Sequence, residues 1–382
     1  MGDVRVNSKA ILKAMKTQSQ WMHAKVRELV EMSSPSEDKV AVDEAVRMVA
    51  EWCGEAGGRV KLHRQKIYGD CLEVRFGRAR RGEKPVLVLG HLDTVWPMGT
   101  LEKMPWRERD GRWFGPGVLD MKAGVVMGLA AMRVLGQMEI QRPVTLLLNS
   151  EEEVGSPVSR VITEKLAAQA CAVLVLEPAH GLACKTARKG VGMYRVDVWG
   201  VAAHSGLDFE RGHSAVLELG RLLEQIAAFT DLRIGRMVNP GVVGGGSRSN
   251  VIAEHAWAEV DVRIMQASDV ARLEKLFRGL RCEDRGCRLE ISGGMNRPPM
   301  ERGPGTVALY QRARGLAAEL DFVLEEAATG GGSDGNFTAA LGVATLDGLG
   351  AVGEGAHAAH EHIVVNRLVG RTALLAGLIA SL

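Results

Sequence analysis

Glu151, Glu152 and Glu153 stand side by side almost at once after an apolar run at 144–148. Neighbouring carboxylates repel, so such a cluster at the end of a buried element needs a positive partner to stay ionised. The same arrangement recurs along the chain. The run PVLVLG at 85–90 ends in His91 and Asp93, AVLVLE at 172–177 ends in Glu177, and VATLD at 343–347 leads through GLGAVGEGA to His357. Asp120, in GPGVLDMKAG, falls between the first two runs and just before a helical stretch. Two histidines and several carboxylates without a cysteine describe a site for a hard-to-borderline divalent cation, zinc foremost. A dication offsets the repulsion of the acids, and two do so more readily, because the carboxylates are too many for one.

Each piece alone has a plainer reading. A lone His-x-Asp is usually a hydrogen-bonded surface pair, a glutamate triplet a solvated helix face, and the methionine-rich MKAGVVMGLAAM ordinary core packing. The combination favours a metal: four polar stops, all of ligand type, each directly after a buried run. GLGAVG at 348–353 matches G-x-G-x-x-G, but no helix opens there and no acid stands about 20 residues on, so it is not read as a dinucleotide site. The chain has no G-K-[ST] phosphate loop.

These side chains must be positioned by a sheet. Unbroken apolar runs suit strands buried on both faces, with helices between them. Open α/β sheets place ligands beyond the carboxyl ends of their strands, so parallel strands would bring the polar stops to one edge. Helical periodicity is expected over 8–31, 38–54 and 121–138, with SSPSED breaking the first two and supplying caps. Residues 191–292 differ. GMYRVDVWG and AWAEVDVRI alternate, as half-exposed antiparallel strands do. Two amphipathic helices accompany them, one through Leu219, Leu222, Leu223 and Ile226, the other after a Ser268 cap through Val270, Leu273 and Phe277. This predicts an inserted α+β sandwich at 189–298 within an α/β domain of mostly parallel sheet formed by 1–188 and 299–382.

Totals agree with two domains: 382 residues, 46% hydrophobic, 25% charged, net charge +2. Acids and bases are interspersed, with no basic stripe for nucleic acid. The N-terminal stretch has no leader-like apolar core, and the 11-residue TALLAGLIASL is too short to span a bilayer, so a cytoplasmic protein without membrane contact is expected. The six cysteines form no C-x-x-C pair and read as reduced thiols, Cys282 and Cys287 included.

GHLDTV, GPGVLDMKAG, SEEEVGS, VLEP, AAHSG, SNVIAE, GGGSDGN and GAHAAHE occur in an order that resembles one family over about residues 80 to 365. It is the co-catalytic zinc peptidases and amidohydrolases typified by bacterial glutamate carboxypeptidase, with acetylornithine deacetylase, succinyl-diaminopimelate desuccinylase and aminoacylase as relatives. The resemblance implies two zinc ions bridged by Asp120, His91 and Glu177 completing one ion's ligands, and Glu153 and His357 the other's; cobalt or manganese are possible substitutes. It implies Glu152 as general base and Asp93 as the partner of His91. His204 would steady the oxyanion from the partner subunit of a homodimer built through the inserted domain. Asn250, Arg297 and the TGGGSDG loop at Gly331 would bind substrate, Arg297 gripping a carboxylate. The implied reaction is cleavage of the amide bond to a C-terminal amino acid, with an N-acyl-amino-acid deacylase or dipeptidase as the alternative and a non-catalytic binding protein as a remote one. The family often has Asp where Glu151 stands, so Glu151 receives no role beyond supporting the site or lying at the surface. The register against EEVGS divides base from ligand between Glu152 and Glu153. His360 and His362 crowd His357, which the Gly-Ala-His order favours.

Overall fold

The computed structural model describes residues 7–382; residues 1–6, the start of the stretch read for a leader, lie outside it. The chain divides into two compact units. One comprises residues up to Ala187, Arg302–Thr329 and Ser333–Leu382, the other Arg188–Glu301 and Gly330–Gly332.

The first unit is built on a six-stranded sheet ordered Arg59–His63, Cys71–Phe76, Val144–Asn149, Val86–His91, Ala172–Val175, Thr345–Leu346. The last four run parallel, and the first two add an antiparallel edge. The unbroken apolar runs are explained by where alternate residues go. Val86, Val88, Leu146 and Leu148 join the large core formed with Ala123–Gln137, Pro304–Glu319, Val365–Ser381 and the N-terminal helices. Leu87, Leu89, Leu147, Val173 and Val175 face a smaller cluster with Leu166 and Ala167 of the helix Arg160–Gln169. A fully buried leucine contributes about 1.5–3 kcal/mol, so neither face tolerates a polar residue cheaply.

Several elements differ from expectation. The periodicity at 8–31 holds two helices, Ser8–Thr17 and Ser19–Val30. The Thr17 and Ser19 hydroxyls bond back to the carbonyls of Ala14 and Lys16, and buried Gln18 accepts from Arg133 Nε, so side chains compete with the ladder at the break. The strand expected over 343–347 shortens to Thr345–Leu346, because Asp347 turns away to bridge Lys185. The helix expected from 121 begins at Ala123, after an irregular turn, Val118–Lys122, in which Asp120 has φ −114° and ψ 94°. The edge strands Arg59–His63 and Cys71–Phe76 were not anticipated. Nor was a small antiparallel sheet joining Gly353–Glu354, His362–Val364, Arg112–Phe114 and Arg107–Arg109.

The second unit carries a four-stranded antiparallel sheet ordered Met237–Gly245, His255–Ile264, Gly190–Trp199, Arg288–Arg297. Tyr194, Val196 and Val198 alternate inward with Ala258, Val260 and Val262, against Leu219, Leu222 and Ile226 of the helix Ala215–Ala227 and Leu273 and Phe277 of Val270–Gly279. Tyr194 stacks on Phe277 with ring centroids 3.8 Å apart. Ser214 caps the first helix, accepting from Leu217 N. The Ser268 cap expected for the second is absent: Ser268 lies inside a short helical turn, Ala267–Asp269, that runs into the helix. All six cysteines are free thiols. No helix among the described residues is long and apolar enough to cross a membrane.

Candidate metal centre

Val86–His91 lies between Val144–Asn149 and Ala172–Val175, parallel to both, and His91 pairs with Asn149 at the strand ends. His91 therefore emerges at the edge where Val144–Asn149 delivers the glutamates and Ala172–Val175 delivers Glu177. Asp120 reaches the same edge from its irregular turn. Gly117 begins that turn at φ +71°, and a Cβ there would meet Thr94 Cγ2 at 2.6 Å. His357 arrives on a loop with a left-handed backbone, φ 62°. Gly350, earlier in that loop, donates its N–H to the Glu177 carbonyl at 2.9 Å, and a Cβ would lie 2.1 Å from the Leu176 carbonyl oxygen. Close approach to a strand end, not a phosphate, accounts for a glycine of GLGAVG.

Asp120 divides its two oxygens between two histidines. Oδ1 lies 3.3 Å from His91 Nε2, and Oδ2 lies 3.4 Å from His357 Nε2. His91 Nε2 is also 3.6 Å from Glu177 Oε1, and His357 Nε2 is 3.2 Å from Glu153. Ligand atoms of His91, Asp120 and Glu153 fall within 4.8 Å of one another, as do those of His91, Glu152 and Glu177. His360 and His362 stay out of the cluster: His360 is exposed, and His362 tilts against Phe114 while its Nδ1 bonds the His360 carbonyl.

Asp93 has more duties than expected. The His91 Nδ1–H donates to the Asp93 backbone carbonyl at 2.9 Å, with the carboxylate farther off at 3.4 Å, which orients the ring so that Nε2 faces the acids. The Asp93 carboxylate accepts from Ser36 Oγ at 2.7 Å and from the backbone amides of Glu152 and Glu153, both at 3.1 Å. Bonded amides pin the turn Glu152–Val154 and aim its two carboxylates.

Electrostatics fit a cation. Burial disfavours the imidazolium of His91, yet the carboxylates of Asp120, Asp93 and Glu177 outweigh it and raise its pKa well above the usual range. Asp120 and Glu153 raise His357 to about 10, and burial pushes Glu153 up to about 7. Burial opposes ionisation of Asp120, but His357 and His91 hold its carboxyl far below the usual range. The cluster thus draws positive charge into itself, and an oxygen-and-imidazole donor set of this kind suits zinc or a similar divalent ion.

Residues whose importance the sequence concealed surround the centre. Glu151 is buried and staples the adjoining loop, accepting from Val158 N at 3.2 Å and Ser159 N at 2.5 Å. Asp334, in GGGSDGN, accepts from Ser156 Oγ at 2.5 Å and Asn149 Nδ2 at 2.6 Å, so that motif braces the glutamate turn from beneath. Glu361 lies between the two discounted histidines and is fully buried.

The remaining predicted residues belong to the second unit. His204 is exposed, and its Nδ1 accepts from Gly206 N at 3.1 Å, which puts the proton of the neutral ring on Nε2. Asn250 neighbours it, its carbonyl accepting from Ser205 N at 3.0 Å. Arg297 is buried beside Gly332, where a Cβ would meet Arg297 Cδ at 2.9 Å. Arg188 Nη1 holds that loop by the carbonyls of Gly331 and Gly332, at 3.1 and 2.9 Å.

A mostly parallel sheet with an antiparallel sandwich unit recurs in solved structures. A tripeptidase from Staphylococcus aureus superposes with a TM-score of 0.80 at 18% identity, covering 95% of this chain and 98% of that one. The metallo-carboxypeptidase Sso-CP2 from Sulfolobus solfataricus gives 0.74 at 16%, covering 94% and 99%. Residues 87–381 match peptidase family M20/M25/M40, and the chain belongs to this family of metal-dependent peptidases and amidohydrolases. Among relatives, carboxypeptidase G2 of Pseudomonas sp. is 28% identical over 312 residues, 79% of this chain and 75% of that protein. A succinyl-diaminopimelate desuccinylase of Delftia acidovorans is 30% identical over 330 residues, 78% and 82% respectively.

Proposed function

We propose that this protein is a dinuclear zinc exopeptidase that cleaves the amide bond to a C-terminal amino acid, in the manner of a glutamate carboxypeptidase. The carrying observation is the division of the Asp120 oxygens between His91 and His357, which gives one carboxylate a donor partner on each side. His91 and Glu177 would complete one position, Glu153 and His357 the other. Zinc held there supplies Lewis acidity to the scissile carbonyl and acidifies the attacking water.

The chain's own residues do the rest. Glu152, held by its amide, takes the proton of the attacking water and returns it to the leaving nitrogen. His204, protonated on Nε2, donates to the developing oxyanion, acting across a homodimer built through the second unit. Arg297 pairs the free carboxylate of the leaving amino acid in bidentate fashion, with Asn250 and the Gly331 loop as further substrate contacts. The edge strand Met237–Gly245, with Val242 and Val243 about half exposed, is the surface offered for the dimer.

Elemental analysis of active protein should find two zinc per chain, and a chelator should abolish amide hydrolysis until zinc, cobalt or manganese is restored. Activity that survives full demetallation ends the proposal. Mixing His204→Ala with Glu152→Gln should restore turnover if the histidine acts across subunits; failure to complement places it within its own. A second reading, an N-acyl-amino-acid deacylase or dipeptidase with the same site, is favoured by the desuccinylase and by an acetylornithine deacetylase of Myxococcus xanthus, 27% identical over 219 residues. A panel of acyl-glutamates, N-acyl amino acids and dipeptides separates the two.

A further inference from the structure

The turn that carries Asp120 is held from the opposite end of the sequence. Glu361 Oε1 accepts from the backbone amides of Leu119 at 2.9 Å and Asp120 at 3.0 Å. Its Oε2 accepts from Gly117 N at 2.9 Å and from the Trp96 indole N–H at 2.8 Å. A carboxylate has about four lone-pair sites, and all four are used. Three of the donors belong to one irregular four-residue turn, and converging backbone amides of this kind form a concavity suited to a single anion. The Asp120 peptide is one wall of it.

Helical hydrogen bonding cannot hold Asp120, because its φ and ψ are not helical. The Glu361 carboxylate takes that place. The main chain of Glu361 is secured separately: Gly115 N donates to the Glu361 carbonyl at 3.4 Å, and the next two residues pair with Phe114 and Trp113. Its side chain can therefore be altered while the strand that carries it stays paired.

We propose that Glu361 is a positioning residue for the metal centre: by gathering the amides of Gly117, Leu119 and Asp120 it fixes where the two Asp120 oxygens point. This rests on the metal-dependent reading of the site. Glu361 touches neither a ligand side-chain atom nor a group assigned to substrate, so it acts only through the turn. Glutamine at 361 would keep one oxygen but turn an NH2 toward amide donors, opening the concavity. Aspartate would keep both oxygens and fall one methylene short.

The test is a zinc titration of metal-free wild type, Glu361→Gln and Glu361→Asp, read as stoichiometry and stepwise affinity, beside the melting temperature of each metal-free protein. Wild type should take up two equivalents. Glu361→Gln should bind zinc about 10- to 100-fold more weakly, the usual loss when a partner behind a ligand is removed, with Glu361→Asp between the two. At saturating zinc, kcat should fall while KM holds, and Trp96 emission should shift because its N–H loses its acceptor. Should Glu361→Gln not fold, the Glu361→Asp titration decides. Variants that bind both equivalents with wild-type affinity overturn the proposal. Wild type that takes up no zinc overturns the metal reading instead, so the two failures are distinct.

Discussion

The two ends of the Asp120 carboxylate look into different surroundings. At the His91 end, His91 and Glu177 side chains are 1% and 8% exposed, and the histidine terminates a central strand. At the other end the His357 side chain is 48% exposed, and its backbone sits on a loop. One position is shielded and preformed; the other is open on one side. If two ions bind as proposed, the shielded position would hold its ion more firmly than the open one.

The most drastic way to break the comparison is to remove what both ends share. Asp120→Ala should cost both zinc equivalents and all measurable turnover, as metal analysis and an amide-hydrolysis assay would report; retention of one tight equivalent would show that the ends are independent. Glu152→Gln should keep both ions while turnover falls about 10²- to 10⁴-fold, the usual worth of a placed proton carrier. If the variant instead lost an ion, base and ligand would be exchanged between Glu152 and Glu153.

The asymmetry itself is sharpened by single histidines. His357→Ala should retain one slowly exchanging equivalent, whereas His91→Ala should leave none that resists a chelator. Two equal release phases from wild type would remove the distinction. A subtler readout is pH. In metal-free protein Glu153 is raised from 4.5 to about 7 and His357 from 6.5 to about 10. A raised folded value means that the bound proton favours the fold, so this stability is complete below the unfolded values and is lost as pH climbs through the folded ones. The metal-free melting temperature should thus decline between about pH 4.5 and 10. Zinc-loaded protein should show little of that decline, because the ions replace the protons. Smallest of all, His360→Ala should change melting and metal content by no more than an ordinary surface substitution, within about 0.5 kcal/mol. A lost equivalent there would move the exposed ligand from His357 to its neighbour.

Much of this centre was legible in the sequence because parallel strands announce themselves. Runs such as VLVLG and VTLLLN are apolar on every residue only when both faces are covered, and the residues just past each run must then emerge at one edge. Ligand-type residues in those places are hard to mistake. Residues that act on backbone amides were illegible. Glu361 serves a turn some 240 positions away, and nothing near it in the chain reveals that partner. Glu151 could be given only a supporting or surface place, because its work, capturing Val158 and Ser159, is done after a bend that composition does not encode. The break at Gln18 was hidden for a related reason: Ile11, Met15, Met22 and Val26 keep helical spacing across it, and only the side-chain hydroxyls betray the interruption. In the second unit, alternation gave strand faces, but propensity alone misassigned Ser268.

Asp93 has one further consequence. Because a single carboxylate grips the amides of both Glu152 and Glu153, the placement of these two side chains is geared together. Neither can be shifted along the sheet edge without dragging the other. A lineage that needs a different substrate therefore has little freedom to retune chemistry here, and must vary what surrounds this coupled pair instead of the pair itself.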